Sequence, residues 1–352
     1  MRRLLSTATA LLVACGGQTA APATPTATAA SSAAAETLDA RLARLYEAAK
    51  PEGKVALYSS MNTDDAKIIL PKFEARFPGI KVEHTRATGE QLITKVTTEM
   101  KSGQKLFDVY DSSSFQVKYV IDQGWTQPYV TASAKDVPKE ATDEKGTWIA
   151  NRVVPLVIGF NTAKGVKDGD IKGWADLCDK KYEGKVAVEV GDVVVYTALR
   201  KQLGTAEAQR IVKCVGANKP SLRSGHTEID SLLPAGEFSV TFASHSYRLA
   251  VYKYEQNKPV SWVRDPMVVD LAGATLAKDP PHPNAAKLFA EWIMSPEGQT
   301  AVAGTGRPPA STKVALKYPD VLGTTQRWFV TIDDSKDYDT DAEFWRSALG
   351  IK

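Results

Sequence analysis

Apolar residues along the chain recur with two periods, one after the other. KVALYSS, from Lys54, is a near-continuous apolar run bounded by Pro51 and Gly53, the pattern of a buried strand. Ile69, Phe73 and Phe77 then fall at helical spacing behind Asn62 as N-cap, with Asp64 and Asp65 at the positive helix end. Pro78-Gly79 stops that run, and Pro71 inside it predicts a kink or two short helices. Ile80 to His84 reads as the next strand. Thr88-Gly89-Glu90-Gln91 has capping-box spacing and opens a helix through Leu92, Val96 and Met100. LFDVYD, from Leu106, is a third strand that breaks at Ser112-Ser113-Ser114 into another helix. A helix over Leu38 to Lys50, with Leu42 and Leu45 on one face, precedes them all.

Strand and helix in alternation predict an α/β lobe with a mainly parallel sheet. The long apolar strand VVPLVIGFNT, Val153 to Thr162, carries the chain to a second lobe. There the alternation resumes: a strand over Lys185 to Val190, helices around Tyr196 to Leu203 and Ala206 to Val215, a helix after His226, and a strand around Val240. WVRDPMVV, from Trp262, is the return crossing. Asn284 to Met294 forms an amphipathic helix with Ala285, Leu288, Phe289 and Trp292 inward. The expected division is lobe 1 over 37–152, lobe 2 over 153–263, and 264–352 returning to lobe 1 with C-terminal helices. A chain of 352 residues is longer than one core usually serves, which agrees with two lobes.

The first residues follow a different rule. Arg2 and Arg3 precede a short apolar stretch that ends Leu12-Val13-Ala14-Cys15, too short to span a bilayer and built like an export signal. Its ending resembles a bacterial lipobox, with residues 1–14 as the signal peptide and Cys15 as the lipidated first residue. An ordinary signal peptide with an incidental cysteine is the alternative. Residues 15–36, rich in Ala, Thr, Pro and Ser, hold almost nothing to bury and read as a disordered tether. The expected location is thus extracytoplasmic, on the membrane through a lipid anchor only. In an oxidising compartment the two remaining cysteines, Cys178 and Cys214, both in the second lobe, are expected to pair. Two buried free thiols are the alternative. A formal net charge of +3, with basic residues scattered, leaves no nucleic-acid footprint.

Chemistry is sparser. None of the four histidines makes an HExxH pair or a Cys/His zinc spacing, and neither a G-x-S-x-G elbow nor a Walker-type loop occurs. Gly304-Thr305-Gly306 lacks a preceding strand and carries little weight. In parallel sheets ligands bind beyond the carboxyl ends of the strands. Those ends carry Ser59 and Ser60, then Thr88, then Asp111 and Ser112. Helix capping accounts for any one of them; three turns together point to a site, where helix N-termini suit an anion. In TFASHSYRL, Ser244 and His245 are adjacent in an extended segment, so their side chains point opposite ways and form no nucleophile–base pair. They read as hydrogen-bonding groups of a cleft wall. Arg223 and His226 lead the helix of SGHTEI, and Arg152 and Arg264 lie near the crossings; arginine forks grip carboxylate or phosphate. A surface salt bridge is the alternative for each arginine.

From about Lys54 to Ala310 the chain resembles bacterial extracellular solute-binding proteins, the capture subunits of ABC importers, in the ferric-iron branch of family 1. The resemblance rests on YSSMNTDDAKIILPKFEARFPGIKVEHTRATGEQLITKV, GFNT…GWADLCDKKYEGKVAV, AGEFSVTFASHSYRL and, most specifically, LAKDPPHPNAAKLFAEWIMSPEGQ. It implies a type II periplasmic-binding-protein fold: two α/β lobes, two hinge crossings and closure on a ligand without catalysis or cofactor. It implies a monomer working with a membrane permease, and it gives His282 a structural place at a helix entry. Ferric-binding members hold iron with two adjacent tyrosines, whose places here are taken by Ser244 and His245. Ferric iron favours anionic oxygen, so serine and neutral imidazole are a poor exchange. The expected ligand is a small anionic organic or phosphorus-bearing compound gripped by Asp192, Tyr196, Arg223, His226 and the groups above. Ferric iron held by a set such as Tyr58, Tyr110 and Tyr196 is the alternative. An enzyme or a sensor on the same two-lobe fold is the rival from another class.

Overall fold

The computed structural model describes residues 36–143 and 145–351, so the export signal, Cys15 and the tether lie outside the described residues. Helix α1 (Leu38–Ala49) leads into β1 (Lys54–Ser59), α2 (Thr63–Arg76), β2 (Lys81–Arg86), α3 (Gly89–Lys101), β3 (Val109–Ser112), α4 (Ser114–Asp122) and the short β4 (Thr126–Gln127). Strand β1 lies between β2 and β3 and runs parallel to both, so the carboxyl ends of three strands share one edge. The helix starts were legible. Asn62 accepts from the Asp65 N–H at the start of α2, and Thr88 forms a full capping box with Gln91.

Strand β5 (Ile149–Val157) stays in this first sheet, and β6 (Gly159–Asn161) begins a second one. The expected single crossing strand is thus broken at Ile158. The second lobe continues with β7 (Val186–Glu189), α5 (Val193–Leu203), α6 (Thr205–Ala217), β8 (Ser221–Arg223), α7 (His226–Ala235), β9 (Val240–Thr241), β10 (Ser244–His245), α8 (Ser246–Ala250) and β11 (Val260–Trp262). Its sheet order is β11-β6-β9-β7-β8, with β7 parallel to β8 and β9. β12 (Met267–Ala277) returns to the first sheet, antiparallel to β5 and β3. The two crossings touch where the Val263 N–H donates to the Ile158 carbonyl at 2.9 Å.

Helices α9 (Pro283–Met294) and α10 (Pro296–Gly304) close the first lobe. Phe289 and Trp292 of α9 meet Phe73 edge-on in the core. At its entry, the His282 N–H and Nδ1 both bond the buried Asp108 carboxylate at 2.7 Å, the structural place expected of this histidine. Strand β13 (Arg327–Phe329) pairs with β12, and α11 (Tyr338–Leu349) ends the chain.

Two expectations need correcting, while the expected disulfide is present. Residues 264–352 do not all return to lobe 1: α11 packs on α5 and α6, with Trp345 fully buried and its indole N–H donating to the Val190 carbonyl at 2.8 Å. The large apolar Trp345 drives that choice. Pro71 does not split α2, which runs unbroken from Thr63 to Arg76. It lies on the exposed face, as does Lys67, whose carbonyl loses its helical partner to the proline ring. Cys178 and Cys214 are bridged, with Cα atoms 5.3 Å apart, which ties the turn before β7 to α6.

Candidate functional site

The carboxyl edges of the two sheets face a common cavity of about 390 Å³. Ser60, Arg86, Thr88 and the turn Ser113 to Gln116 line it from the first lobe. Glu189 to Val194 and Ser224 to Thr227 line it from the second. The crossing strands contribute Arg152, Val154, Leu156, Asp270 and Ala272, and His245, Arg307, Tyr338 and Arg346 complete the wall. A site at this edge follows from parallel sheet topology, because the strand-to-helix turns converge there.

Two guanidinium groups dominate the base. Arg152 is only 2% exposed and Arg307 5%. Nη1 of Arg152 donates to Asp111 Oδ1 at 2.5 Å and to Asn151 Oδ1 at 2.7 Å, while its buried Nε has no protein partner. Arg307 donates from Nε to Asp65 Oδ2 at 2.9 Å and from Nη2 to the Tyr247 hydroxyl, over whose ring it lies 4.2 Å from the centroid. Burying a charge requires pairing, and each arginine keeps one acid behind it. Asp270, buried and taking a 2.5 Å bond from Ser114 Oγ, has its pKa raised by desolvation.

The second-lobe wall carries acids and imidazoles. Glu189, at the end of β7, accepts the backbone N–H groups of Gly191 at 2.6 Å and Gly225 at 2.8 Å, so a built-in carboxylate occupies the starts of two helices. Burial and the neighbouring Asp192 charge push its pKa up to about 7. His226 Nε2 meets Asp192 Oδ1 at 2.8 Å, and His245 Nδ1 meets Asp230 Oδ2 at 2.9 Å. The two rings lie 4.5 Å apart, centroid to centroid. Burial alone would lower the His226 pKa, but Asp192, with Glu189 and Asp230 behind it, outweighs that and pushes it up to about 10. His245 goes the other way, to about 4, through burial and then the charge on His226. The Asp192 carboxylate thus favours the charged form of His226, and that charge in turn favours the neutral form of His245.

Of the residues expected from sequence, Ser60, Thr88, Asp192, His226 and His245 line the cavity. Ser59, Asp111 and Ser112 do not. Ser59 is buried and accepts from the Met61 N–H, Asp111 holds Arg152 from behind, and Ser112 donates to Ser60. Ser244 also faces inward and shares a 2.9 Å bond with Thr241, as strand alternation beside His245 requires. Arg223 pairs with Glu228 and Glu237, and Arg264 lies over Trp262 and pairs with Asp320, both off the cavity wall. Tyr196 is stacked on Phe344, 4.9 Å apart. Tyr58 packs on Phe107 and donates to Glu99, and Tyr110 is fully buried. No phenolate of the set Tyr58, Tyr110 and Tyr196 reaches the cavity, because all three rings serve as core.

Sequence reasoning missed Glu189, Asp230 and Arg307. Glu189 ends a strand just before Gly191, a turn signal worth reading; Asp230 lies one helical turn past His226. Arg307 follows Gly304-Thr305-Gly306, where Gly306 has φ +90° and a β-carbon would come within 2.8 Å of the Tyr318 ring. The glycine run thus shapes the turn that delivers Arg307.

A profile of the family described as bacterial extracellular solute-binding protein matches residues 105–329, well over half of the chain. Solved structures of similar fold include iron-bound HitA from Pseudomonas aeruginosa, 20% identical with a TM-score of 0.72, over 84% of this chain and 99% of that one. The ferric binding protein from Campylobacter jejuni is 19% identical with a TM-score of 0.72 over the same shares. The substrate binding protein of an ABC transporter from Agrobacterium tumefaciens is 19% identical with a TM-score of 0.74, over 84% of this chain and 94% of that one. At these identities the likeness establishes the two-lobe fold. Among the described residues no helix is long and apolar enough to cross a membrane.

Proposed function

The chain belongs to the bacterial extracellular solute-binding proteins, and we propose that it is the capture subunit of an ABC importer, holding one small anionic organic or phosphorus-bearing solute between its lobes. The observation that carries this reading is the pair Arg152 and Arg307, almost wholly buried yet lining a cavity of about 390 Å³. That volume suits a small molecule. A guanidinium whose Nε lacks a protein partner at the base of a cleft is a natural seat for a carboxylate or phosphate oxygen. The solute enters between the lobes, binds Ser60, Ser114 and the arginines, and is released unchanged to a membrane permease. Lipidation of Cys15 would keep the body at the membrane, and export would explain the Cys178–Cys214 bridge.

Native mass spectrometry of the mature body, with elemental analysis of the same sample, tests the reading. The expected result is a metal-free organic or phosphorus-bearing adduct that Arg152→Met abolishes and that is recovered chemically intact. Turnover of the captured compound would favour an enzyme on this fold instead. A second reading, ferric iron, is favoured by the names of the similar structures HitA and the Campylobacter jejuni protein. With those three tyrosines committed to the core, iron would depend on carboxylates, imidazoles and the Tyr338 hydroxyl, which already donates to Glu90, a weaker set for a hard trivalent ion.

A further inference from the structure

We infer that the solute carries a compact apolar body, aromatic or branched aliphatic, behind its anionic head. This deepens the reading given above and rests on it for the head alone. The floor of the cavity is the second half of β5, where strand alternation sends Arg152, Val154 and Leu156 out of one face. All three line the cavity, and Val153 and Pro155 between them do not. The floor thus passes from a guanidinium to an isobutyl group over about 13 Å of strand. On the neighbouring strand β12, Ala272 is the partner of Arg152 and Asp270 that of Val154. Asp270 does not make this floor ionic toward the solute, because its Oδ1 is already taken by the Ser114 hydroxyl at 2.5 Å.

The apolar end continues up both walls. Phe115 of α4 comes from the first lobe, Val193 of α5 and Ile351 after α11 from the second. With Val154, Leu156 and Ala272 they belong to a single hydrophobic cluster, so they make one continuous surface. Phe115 departs from its own helix here. Val117 and Val120 of α4 are part of the first-lobe core, whereas Phe115 reaches across to the other cluster. The Tyr338 ring meets Phe115 edge-on, with centroids 5.7 Å apart, and extends that surface to the rim. A bare oxyanion or a metal ion would leave this wall facing water. An apolar body laid against it displaces that water, with a gain proportional to the area covered. An apolar surface with a few fixed polar groups at one end is the arrangement that orients a small organic molecule.

Calorimetric titration of the mature chain with two pairs of probes tests the inference: phenylphosphonate against methylphosphonate, and benzoate against acetate. Within each pair the head is shared and only the body changes. In at least one pair the phenyl member is expected to bind about 10- to 100-fold tighter, with a more negative heat-capacity change. Phe115→Ala should lower that ratio about tenfold. Ile351→Ser, one residue from the end of the chain, should lower it about fourfold, the worth of one buried methylene, and serves should Phe115→Ala misfold. Equal affinities within both pairs, or no binding of either phenyl probe, would overturn the inference. A phenyl probe held as tightly by Arg152→Met as by the parent would refute the anionic head and leave the apolar wall standing.

Discussion

Tyr338 of α11 donates its hydroxyl to Glu90 of α3 at 2.5 Å, joining the two lobes at the rim of the cavity. The bond links second-lobe-packed α11 to α3 of the first lobe, so it is expected to favour a closed arrangement. An exposed hydrogen bond contributes about 1 kcal/mol net. Tyr338→Phe should therefore shift the population toward an open form and speed ligand release by about fivefold. Small-angle scattering of the free protein and stopped-flow dissociation report these two effects; unchanged values in both would remove the latch.

The buried pair Arg152 and Asp111 should behave asymmetrically. Asp111→Asn leaves the 2% exposed guanidinium without its counter-charge, at a cost of about 3–5 kcal/mol. The double change Asp111→Leu with Arg152→Met should be far milder in stability while abolishing solute binding. Chemical denaturation checks the first expectation and calorimetric titration the second.

The Cys178–Cys214 bridge closes a separation of 36 residues. Cys178→Ala with Cys214→Ala is expected to lower stability by about 2–4 kcal/mol through a freer unfolded chain. Urea unfolding of the oxidised protein and the variant measures it. A thiol count on the denatured, unreduced protein should find neither cysteine reactive.

Glu189 gives a pH signature whose sign is fixed. Burial, with the Asp192 charge beside it, raises its pKa in the folded state to about 7 from an ordinary 4.5. The folded chain therefore favours the protonated acid, and this contribution is complete below pH 4.5 and lost as pH rises through 7. Glu189→Gln, a permanent stand-in for the protonated form, should flatten that part of the stability profile. Denaturation midpoints across pH 4 to 8 would show it, and a variant as pH-sensitive as the parent would contradict it.

Much of the frame was legible because it is local. The capping box at Thr88, the apolar run of β1 and the inward face of α9 each announce themselves within a dozen residues. The site was legible where a polar residue sits at a strand-to-helix turn and faces the cleft, as at Ser60, Thr88, Asp192 and His226. Ser59 and Ser244 share that composition but fall on the inward phase of the alternation, which a one-residue uncertainty in register inverts. Tyr196 looked like a ligand and became core because α11 docks on its helix, a contact spanning more than 140 residues that no local pattern carries. Arg307 and Asp65 were hidden for the same reason: their partnership exists only after the chain has crossed twice between lobes.

Strand β10 is two residues long, and both of them, Ser244 and His245, pair with Val157 and Leu156 of β5, the end of the first-sheet strand that leads into the crossing at Ile158. This stretch of the cavity wall is therefore stitched to the segment that joins the two lobes. A tug on the His245 ring is felt by the crossing strand through backbone bonds alone, without a relay of side chains. The protein's grip and its pivot are one piece of fabric, so tightening one sets the angle of the other.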